Sequence, residues 1–148
     1  MGRAIASAFI ASGDAVVLSD RSREALDEAA RTVEGIASTI GCDVSTAEAC
    51  ARMAAEVVDR HGGIDVLVTA AGVWVEGASE AMTEPQWDRT IDVNLKGTFF
   101  SIAAAIPSLV ERRGCVVAIS SDYGQSWSLL SGFNGCYDFA SISFTGPR

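Results

Sequence analysis

The sequence predicts an α/β domain in which a parallel sheet is covered by helices on both faces, giving three layers. Three observations carry that reading. Short apolar, β-branched runs alternate with helical patterns roughly every 20 to 30 residues, the rhythm of βαβ units. The runs are apolar throughout, as in strands buried on both faces. Glycines close the helical segments, and polar or small residues follow the runs, so the carboxyl ends of the strands open into turns that can meet a ligand. Right-handed crossovers would then wind the helices onto a doubly wound sheet.

The chain opens on a helix. Ile5, Ala8, Phe9 and Ser12 fall on one face, and Gly13 stands where the helix should stop. Residues 15–20 form the first strand. Ser22 caps a second helix with the stripe Leu26, Ala29, Ala30 and Val33, ended by Gly35, and residues 36–40 form the next strand. After Cys42-Asp43-Val44, the run Ser45-Thr46-Ala47-Glu48 reads as a capping box. The third helix buries Cys50, Met53, Ala54 and Val57 and stops at His61-Gly62-Gly63, with His61 in solvent. Residues 65–69 are a strand running into the turn Ala70-Ala71-Gly72. Thr83 with Gln86 caps a long helix that reaches about Arg113 and kinks at Pro107. Residues 115–120 are the last strand, all four lying parallel in one sheet.

Composition narrows the function. At 148 residues and 49% hydrophobic, the chain has the size and apolar content of one domain, residues 1–148, with one core. No run reads as long enough to span a membrane and no leader pattern opens the chain, so a cytoplasmic protein without a membrane partner is expected. A net charge of −8 with scattered acidic residues argues against nucleic acid as a partner. Cys42, Cys50, Cys115 and Cys136 include no C-x-x-C pair, and the chain holds one histidine, which argues against a metal site. The cysteines read as small buried residues of a reducing compartment.

Chemistry is expected between Cys115 and Tyr137. The hydroxyls of Ser120 and Ser121 lie at the carboxyl end of a strand, with Tyr137 following through a Gly/Ser-rich loop, although a serine pair after a strand is also ordinary turn chemistry. Asp20 ends a strand 18 residues after Gly2. At that placement an acidic side chain accepts hydrogen bonds from the adenosine ribose of a dinucleotide.

Gly2-Arg3-Ala4-Ile5-Ala6, Cys42-Asp43-Val44, Asp65-Val66-Leu67-Val68 leading to Ala71-Gly72, Asp92-Val93-Asn94-Leu95-Lys96-Gly97 and Ile119-Ser120-Ser121 occur in an order and spacing that resembles the short-chain dehydrogenases/reductases. The resemblance covers nearly the whole chain. It implies a Rossmann-like doubly wound sheet, a nicotinamide cofactor, an alcohol or ketone as substrate, and a homo-oligomer if the chain is complete. Gly2 would match the last glycine of the phosphate-binding turn, Asp20 with its neighbour Arg21 would face the ribose, and Asp43 with Val44 would line the adenine pocket. Ala71 and Gly72 would belong to the cofactor site. Asn94 would hold a proton-relay water, Ser121 would polarise the substrate carbonyl, and Tyr137 would be the general acid/base. A carbonyl receiving hydride develops oxyanion character, which a hydroxyl donor and a proton-giving tyrosine suit. NAD is expected over NADP, because Asp20 would sit against a 2′-phosphate, with Arg21 near enough to swing over one.

Departures from the family pattern bear on activity. The family's lysine four residues after its tyrosine is Ser141 here, and Lys96 is the chain's only lysine. The interval from Ser121 to Tyr137 is about three residues longer than the family's, and Ala70 replaces an asparagine of its Asn-Asn-Ala-Gly turn. Met1 occupies the position before the last glycine, so the first strand and the C-terminal elements are expected to be lacking. In the doubly wound order that first strand belongs between the strands ending at Asp20 and Thr69, which leaves a slot one strand wide. Two alternatives to a dehydrogenase remain open. One is a non-catalytic remnant that binds nucleotide or pairs subunits; the other is a methyltransferase with Asp20 on a cofactor ribose, which leaves Asn94, Ser121 and Tyr137 unexplained.

Overall fold

A computed structural model describes residues 1–75 and 78–119. Strand β1 (Val16–Asp20) pairs in parallel with β2 (Ile36–Gly41), with Val17 opposite Ser38 and Asp20 opposite Gly41. Strand β3 (Val66–Thr69) pairs in parallel with β4 (Cys115–Ala118), with Val66 opposite Cys115 and Thr69 opposite Ala118. All four expected strands form and all are parallel, yet they do not make one continuous sheet. They form two separate pairs. The central strand of a doubly wound sheet is not among the described residues, so β1 and β3 have no hydrogen-bonded neighbour to join them.

Helices hold the pairs. Helix α1 (Gly2–Ala11) lies on β1, and α2 (Arg23–Thr32) covers β1 and β2. An Arg3–Glu28 ion pair at 2.8 Å joins the two helices. Helix α3 (Ala47–His61) packs on α5 (Gly97–Arg112), and α5 covers β3 and β4. The core follows these contacts: Leu26, Ala29 and Ile40 are buried on one side, and Cys50, Ala54, Ile102, Ala105 and Leu109 at the α3–α5 contact.

Local chemistry sets the helix ends. Ser22 caps α2 by accepting from the Ala25 N–H at 3.2 Å, as expected. The cap of α3 is Thr46, accepting from the Ala49 N–H at 3.3 Å, rather than Ser45. The reason is upstream: Asp43 Oδ1 already takes the Ser45 N–H at 3.0 Å, and the resulting turn delays the helix by one residue. Glu48 is thereby released from a capping box and pairs instead with Arg52 at 2.6 Å. Helix α4 (Glu84–Ile91) starts as expected, Gln86 Oε1 accepting from the Thr83 N–H at 2.9 Å. A 3₁₀ turn, Ser79–Ala81, precedes it.

Some faces differ from the periodicity. In α1 the buried residue is Ala6, with Phe9 and Ile10 half-buried, while Ala8 and Ser12 are exposed. The helix is turned so that Ile10 lies over Gly35. Ala30 of α2 is exposed as well. Cys42 and Cys50 are buried, Cys115 is exposed at the start of β4, and Cys136 lies outside the described residues. His61 is exposed and hydrogen-bonds Ser38 Oγ through Nε2 at 2.8 Å.

The long C-terminal helix is interrupted, though not at Pro107, which sits within α5. The break is a π turn at Asp92–Lys96 between α4 and α5. Taken together, Glu84–Arg112 spans 29 residues with a mean hydropathy of 1.4 in its most apolar window, long and apolar enough by composition to cross a membrane. One face of α5, carrying Ser101, Ile102, Ala105, Ser108 and Leu109, is nonetheless buried. Ser108 Oγ also accepts from the Ile64 N–H at 2.8 Å, tying α5 to the chain just before β3.

At the entry to β4 the backbone of Gly114 runs so close to Asp65 that a Cβ there would overlap the Asp65 carbonyl. Because backbone, rather than a movable side chain, fills that space, Gly114→Ala should destabilise the chain by about 2 kcal/mol or more. Urea unfolding of the two proteins checks this; equal midpoints would show that the β3–β4 entry yields freely.

Candidate functional site

The two Asp-containing turns at the carboxyl ends of β1 and β2 are built alike. Asp20 Oδ1 accepts from the Ser22 N–H at 2.8 Å, and Asp43 Oδ1 accepts from the Ser45 N–H at 3.0 Å. Each carboxylate is fixed by a backbone donor two residues on, and both aspartates are exposed. The turns are adjacent because the parallel register continues past the strands, the Cys42 N–H donating to the Asp20 carbonyl at 3.0 Å. The Ser45 hydrogen bonds hold the Asp43 carboxyl below the usual carboxylate range, with the Arg21 guanidinium adding to the effect.

Between these turns and α4 lies a cleft of about 440 Å³, lined by Arg21, Asp43, Pro85, Arg89, Asp92 and Val93 among others. A second cleft of about 690 Å³ opens on the α3 side of the same turns, where Arg21 and Asp43 meet Ile40, Cys42, Arg52 and Met53. Burial, reinforced by the neighbouring Cys50 thiol, pushes the Cys42 thiol up to about 11, so it lines that cleft as a neutral group. Val44 is half-buried and lies against Gly97, where a Cβ would come 2.7 Å from Val44 Cγ2. The missing side chain at Gly97 is what allows α5 to approach the Asp43–Val44 turn.

The turn after β3 is held by Asn94. Its Nδ2 donates to the Val73 carbonyl at 2.9 Å and its Oδ1 accepts from the Val73 N–H at 2.8 Å, a two-point clamp on one peptide unit. Gly72 adjoins the clamp, where a Cβ would make an ordinary contact, 3.5 Å from Asn94 Oδ1. The π turn places Asn94 for this, and the Thr98 hydroxyl caps the Asn94 carbonyl at 2.8 Å. Ala71 and Gly72 are exposed beside the clamp. Just before them, the Thr69 hydroxyl is buried with no hydrogen-bond partner among the described residues. Lys96 is paired with Asp92 at 3.0 Å.

Of the expected site residues, Asp20, Arg21, Asp43 and Val44 come together at the ends of β1 and β2, and Ala71, Gly72 and Asn94 come together at the end of β3. Gly2 is the first residue of α1, whose N-terminus has no side-chain cap, and it lines neither cleft. Ser121 and Tyr137 lie outside the described residues, as does Ser120. Pro85, Asp88 and Arg89 were not expected at the site. Their capping signal located the start of α4 but carried no information about which turn that start would face. Among the described residues no group of His, Cys, Asp or Glu could hold a metal.

The chain as a whole has counterparts among known proteins. Residues 1–135 match the family model described as short chain dehydrogenase. The chain belongs to the short-chain dehydrogenase family. It is 38% identical over 130 residues to meso-2,3-butanediol dehydrogenase of Serratia marcescens, a match covering 86% of this chain and 52% of that protein. It is 36% identical over 126 residues to human dehydrogenase/reductase SDR family member 4, covering 82% of this chain and 45% of that protein. Among solved structures, the alcohol dehydrogenase from Thermococcus sibiricus complexed with 5-hydroxy-NADP superposes with a TM-score of 0.77 at 30% identity, covering 86% of this chain and 56% of that one. A metagenomic short-chain oxidoreductase in complex with NADP gives a TM-score of 0.76 at 36% identity, covering 86% and 60%. The chain thus spans about half the length of the curated relatives it matches.

Two expectations test the site. Asn94→Ala removes both hydrogen bonds to Val73, each worth about 0.5–1.5 kcal/mol net, so amide exchange at residues 71–75 should accelerate while β1 and β2 stay as they were. Unchanged exchange there would show that the loop is held by something else. The second concerns pH. Because the folded pKa of Asp43 is lowered, its stabilising contribution is present above the ordinary carboxylate pKa of about 4 and is lost as pH falls through the lower folded value. Asp43→Asn keeps the acceptor oxygen for Ser45 and should flatten this part of the stability profile between about pH 5 and 2, measured by urea unfolding. A profile as steep as the parent's would assign the acid sensitivity to other carboxylates.

Proposed function

We propose that this chain is the nucleotide-binding portion of an NAD(P)-dependent short-chain oxidoreductase that interconverts an alcohol and a ketone. The observation that supports it most is the cleft where Arg21 and Asp43 meet α4 and Val93, set beside the Asn94-clamped turn. Exposed carboxylates fixed by backbone donors suit the hydroxyls of an adenosine ribose, and the uncapped N-terminus of α1 suits a pyrophosphate. These residues fit a dinucleotide.

When bound, the cofactor supplies the hydride. In this reading Asp20 accepts from the ribose hydroxyls, Asp43 and Val44 flank the adenine, and Ala71 with Gly72 gives the cofactor a surface without side-chain bulk. Asn94 sets the loop and holds a relay water, Ser121 donates to the substrate oxygen, and Tyr137 exchanges the proton. Asp20 favours NAD, since a 2′-phosphate would meet a fixed carboxylate. Arg21 favours NADP, the ligand in two structural relatives, but its guanidinium is also drawn on by Asp43.

Exposed Leu95, Phe99 and Val110 form a stripe along the π turn and α5, 58 to 65% exposed, which suits pairing of the whole protein into a homo-oligomer in the cytoplasm. Ser141 in place of the family's lysine favours nucleotide binding without turnover for this chain by itself. Tyr137 then lacks the cation that would ease loss of its proton, and the nicotinamide ribose lacks its charged anchor.

Calorimetric titration of the purified chain should show NADH bound more tightly than NADPH, with Asp20→Ala reducing the difference about tenfold. Tighter NADPH binding by the parent chain would defeat the NAD preference. Assay with a ketone panel and NADH should give no turnover above a Tyr137→Phe control; robust oxidation above that control would overturn the binding-only reading of this chain. Binding of neither dinucleotide would remove the proposal as a whole.

A further inference from the structure

Two buried thiols meet behind the Asp43 turn, and hydride transfer uses neither. Cys42 follows β2 and is held by its N–H on the Asp20 carbonyl at 3.0 Å, while Cys50 sits in the first turn of α3 with its N–H on the Thr46 carbonyl at 3.2 Å. The chain between them is the Asp43–Thr46 turn, so backbone hydrogen bonds on both sides limit how far apart the sulfurs can move. The Cys42 and Cys50 thiols hydrogen-bond each other, and both are free. Cys42 is 5% exposed and lines the cleft of about 690 Å³, whereas Cys50 is wholly buried. One thiol faces a space that a small molecule can enter, and the other stands behind it. The Cys50 sulfur makes two further contacts, 3.5 Å to the Val44 carbonyl and 3.6 Å to the Ser101 hydroxyl of α5.

We propose that Cys42 and Cys50 form a thiol switch, in which a hydroperoxide entering the cleft converts the pair to a disulfide that locks the Asp43 turn onto α3. The Cys42 thiolate attacks a peroxide oxygen, the O–O bond breaks, and water or an alcohol leaves with the proton, giving a sulfenic acid on Cys42. The Cys50 sulfur then attacks the Cys42 sulfur and expels a second water. Two thiols lose two electrons, and one peroxide is reduced. Burial and the neighbouring Cys50 thiol disfavour the Cys42 thiolate, Asp43 opposes it further, and Arg52 favours it, with Arg21 and Glu56 on the same cleft wall. The pair therefore rests as a dithiol near neutrality and reacts faster as pH rises. Closure removes the Cys50 proton, so that sulfur no longer donates to Val44 and can only accept from Ser101. Val44 also packs on Gly97, so the new bond forms where the β1–β2 half meets α5. The chemistry needs no nucleotide and holds whichever ligand the clefts take.

The test uses the full chain carrying Cys115→Ser and Cys136→Ser, in which any intramolecular disulfide must join Cys42 and Cys50. Folded protein treated with hydrogen peroxide or cumene hydroperoxide should lose both thiols together, with a mass loss of two hydrogens that dithiothreitol reverses. The rate should rise about tenfold for each pH unit between about 7 and 9, following the thiolate fraction. In the closed form, exchange of the Ser45 and Ala49 amides, which bond Asp43 and Thr46, should slow by about tenfold. Adding Cys50→Ala should leave Cys42 as a sulfenic acid that dimedone captures, an adduct that the intact pair does not accumulate. Phenylarsine oxide gives a readout that needs neither an oxidant nor a substitution at the pair: the reduced folded chain should take up one arsenic across both sulfurs, releasing water. Thiols that oxidise only in urea, disulfide-linked dimers in place of the internal bond, unchanged exchange at both amides, or no arsenical uptake by the folded chain would each overturn the proposal.

Discussion

Cys50 and Ser101 meet at the centre of the α3–α5 contact, the sulfur 3.6 Å from the hydroxyl oxygen, in a region where Cys50 has no exposed surface. Small residues at such a crossing let two helices approach closely, and a buried hydroxyl there has a partner. Ala54 and Ala105 continue the small-residue seam, and the Ile64 N–H bound to Ser108 closes it at one end. With no backbone hydrogen bonds between β1–β2 and β3–β4, this seam carries much of the load that a continuous sheet would normally bear. It is apolar and side-chain mediated, so it fixes distance more than it fixes strand register.

The turns at the strand ends inherit that division. Asp20 and Asp43 are organised within the β1–β2 half by Asx turns that need nothing from elsewhere, whereas Ala71, Gly72 and Asn94 are organised within the β3–β4 half by the clamp on Val73. What relates the halves is the contact between Gly97 and Val44, one step from the π turn. The π turn widens the helix at Asp92–Lys96, and a helix with that irregularity can present Asn94 to the loop while keeping Val93 buried. A regular helix would rotate one of the two away.

Much of this was legible in the residues. Apolar runs placed all four strands to within a residue or two at their ends, and the glycine and serine signals placed the helix boundaries, because these features are set by local sterics and hydrogen bonding. The residues placed Asp20 at a strand end and the resemblance singled out Asp43, but the hydrogen-bonded turns that the two aspartates close came only from the structure. The pairing of four strands as two pairs was not readable from the runs, since a run records burial and not which edge it pairs with. The shift of a cap from Ser45 to Thr46 depended on a side chain two residues upstream taking the competing donor. In α1, periodicity alone chose a face containing Ala8 and Ser12, when contact with Gly35 turned the helix toward Ala6 and Ile10. Exposure of Cys115 follows from its place at the first residue of a strand, where hydrophobicity says little about depth. The identity of Pro85, Asp88 and Arg89 as cleft residues was set by tertiary approach, for which the sequence held no signal.

The same division separates recognition from stability. Each acidic turn is closed by bonds spanning two residues, so its geometry should survive loosening of the sheet, while the distance between the Asp43 turn and the Asn94 loop should not. A dinucleotide is long enough to touch both halves, and its binding energy would then be spent partly on holding them at the right separation. That separation is set both where Val44 meets Gly97 and where α3 packs on α5, so a nucleotide touching both turns would bear on both contacts.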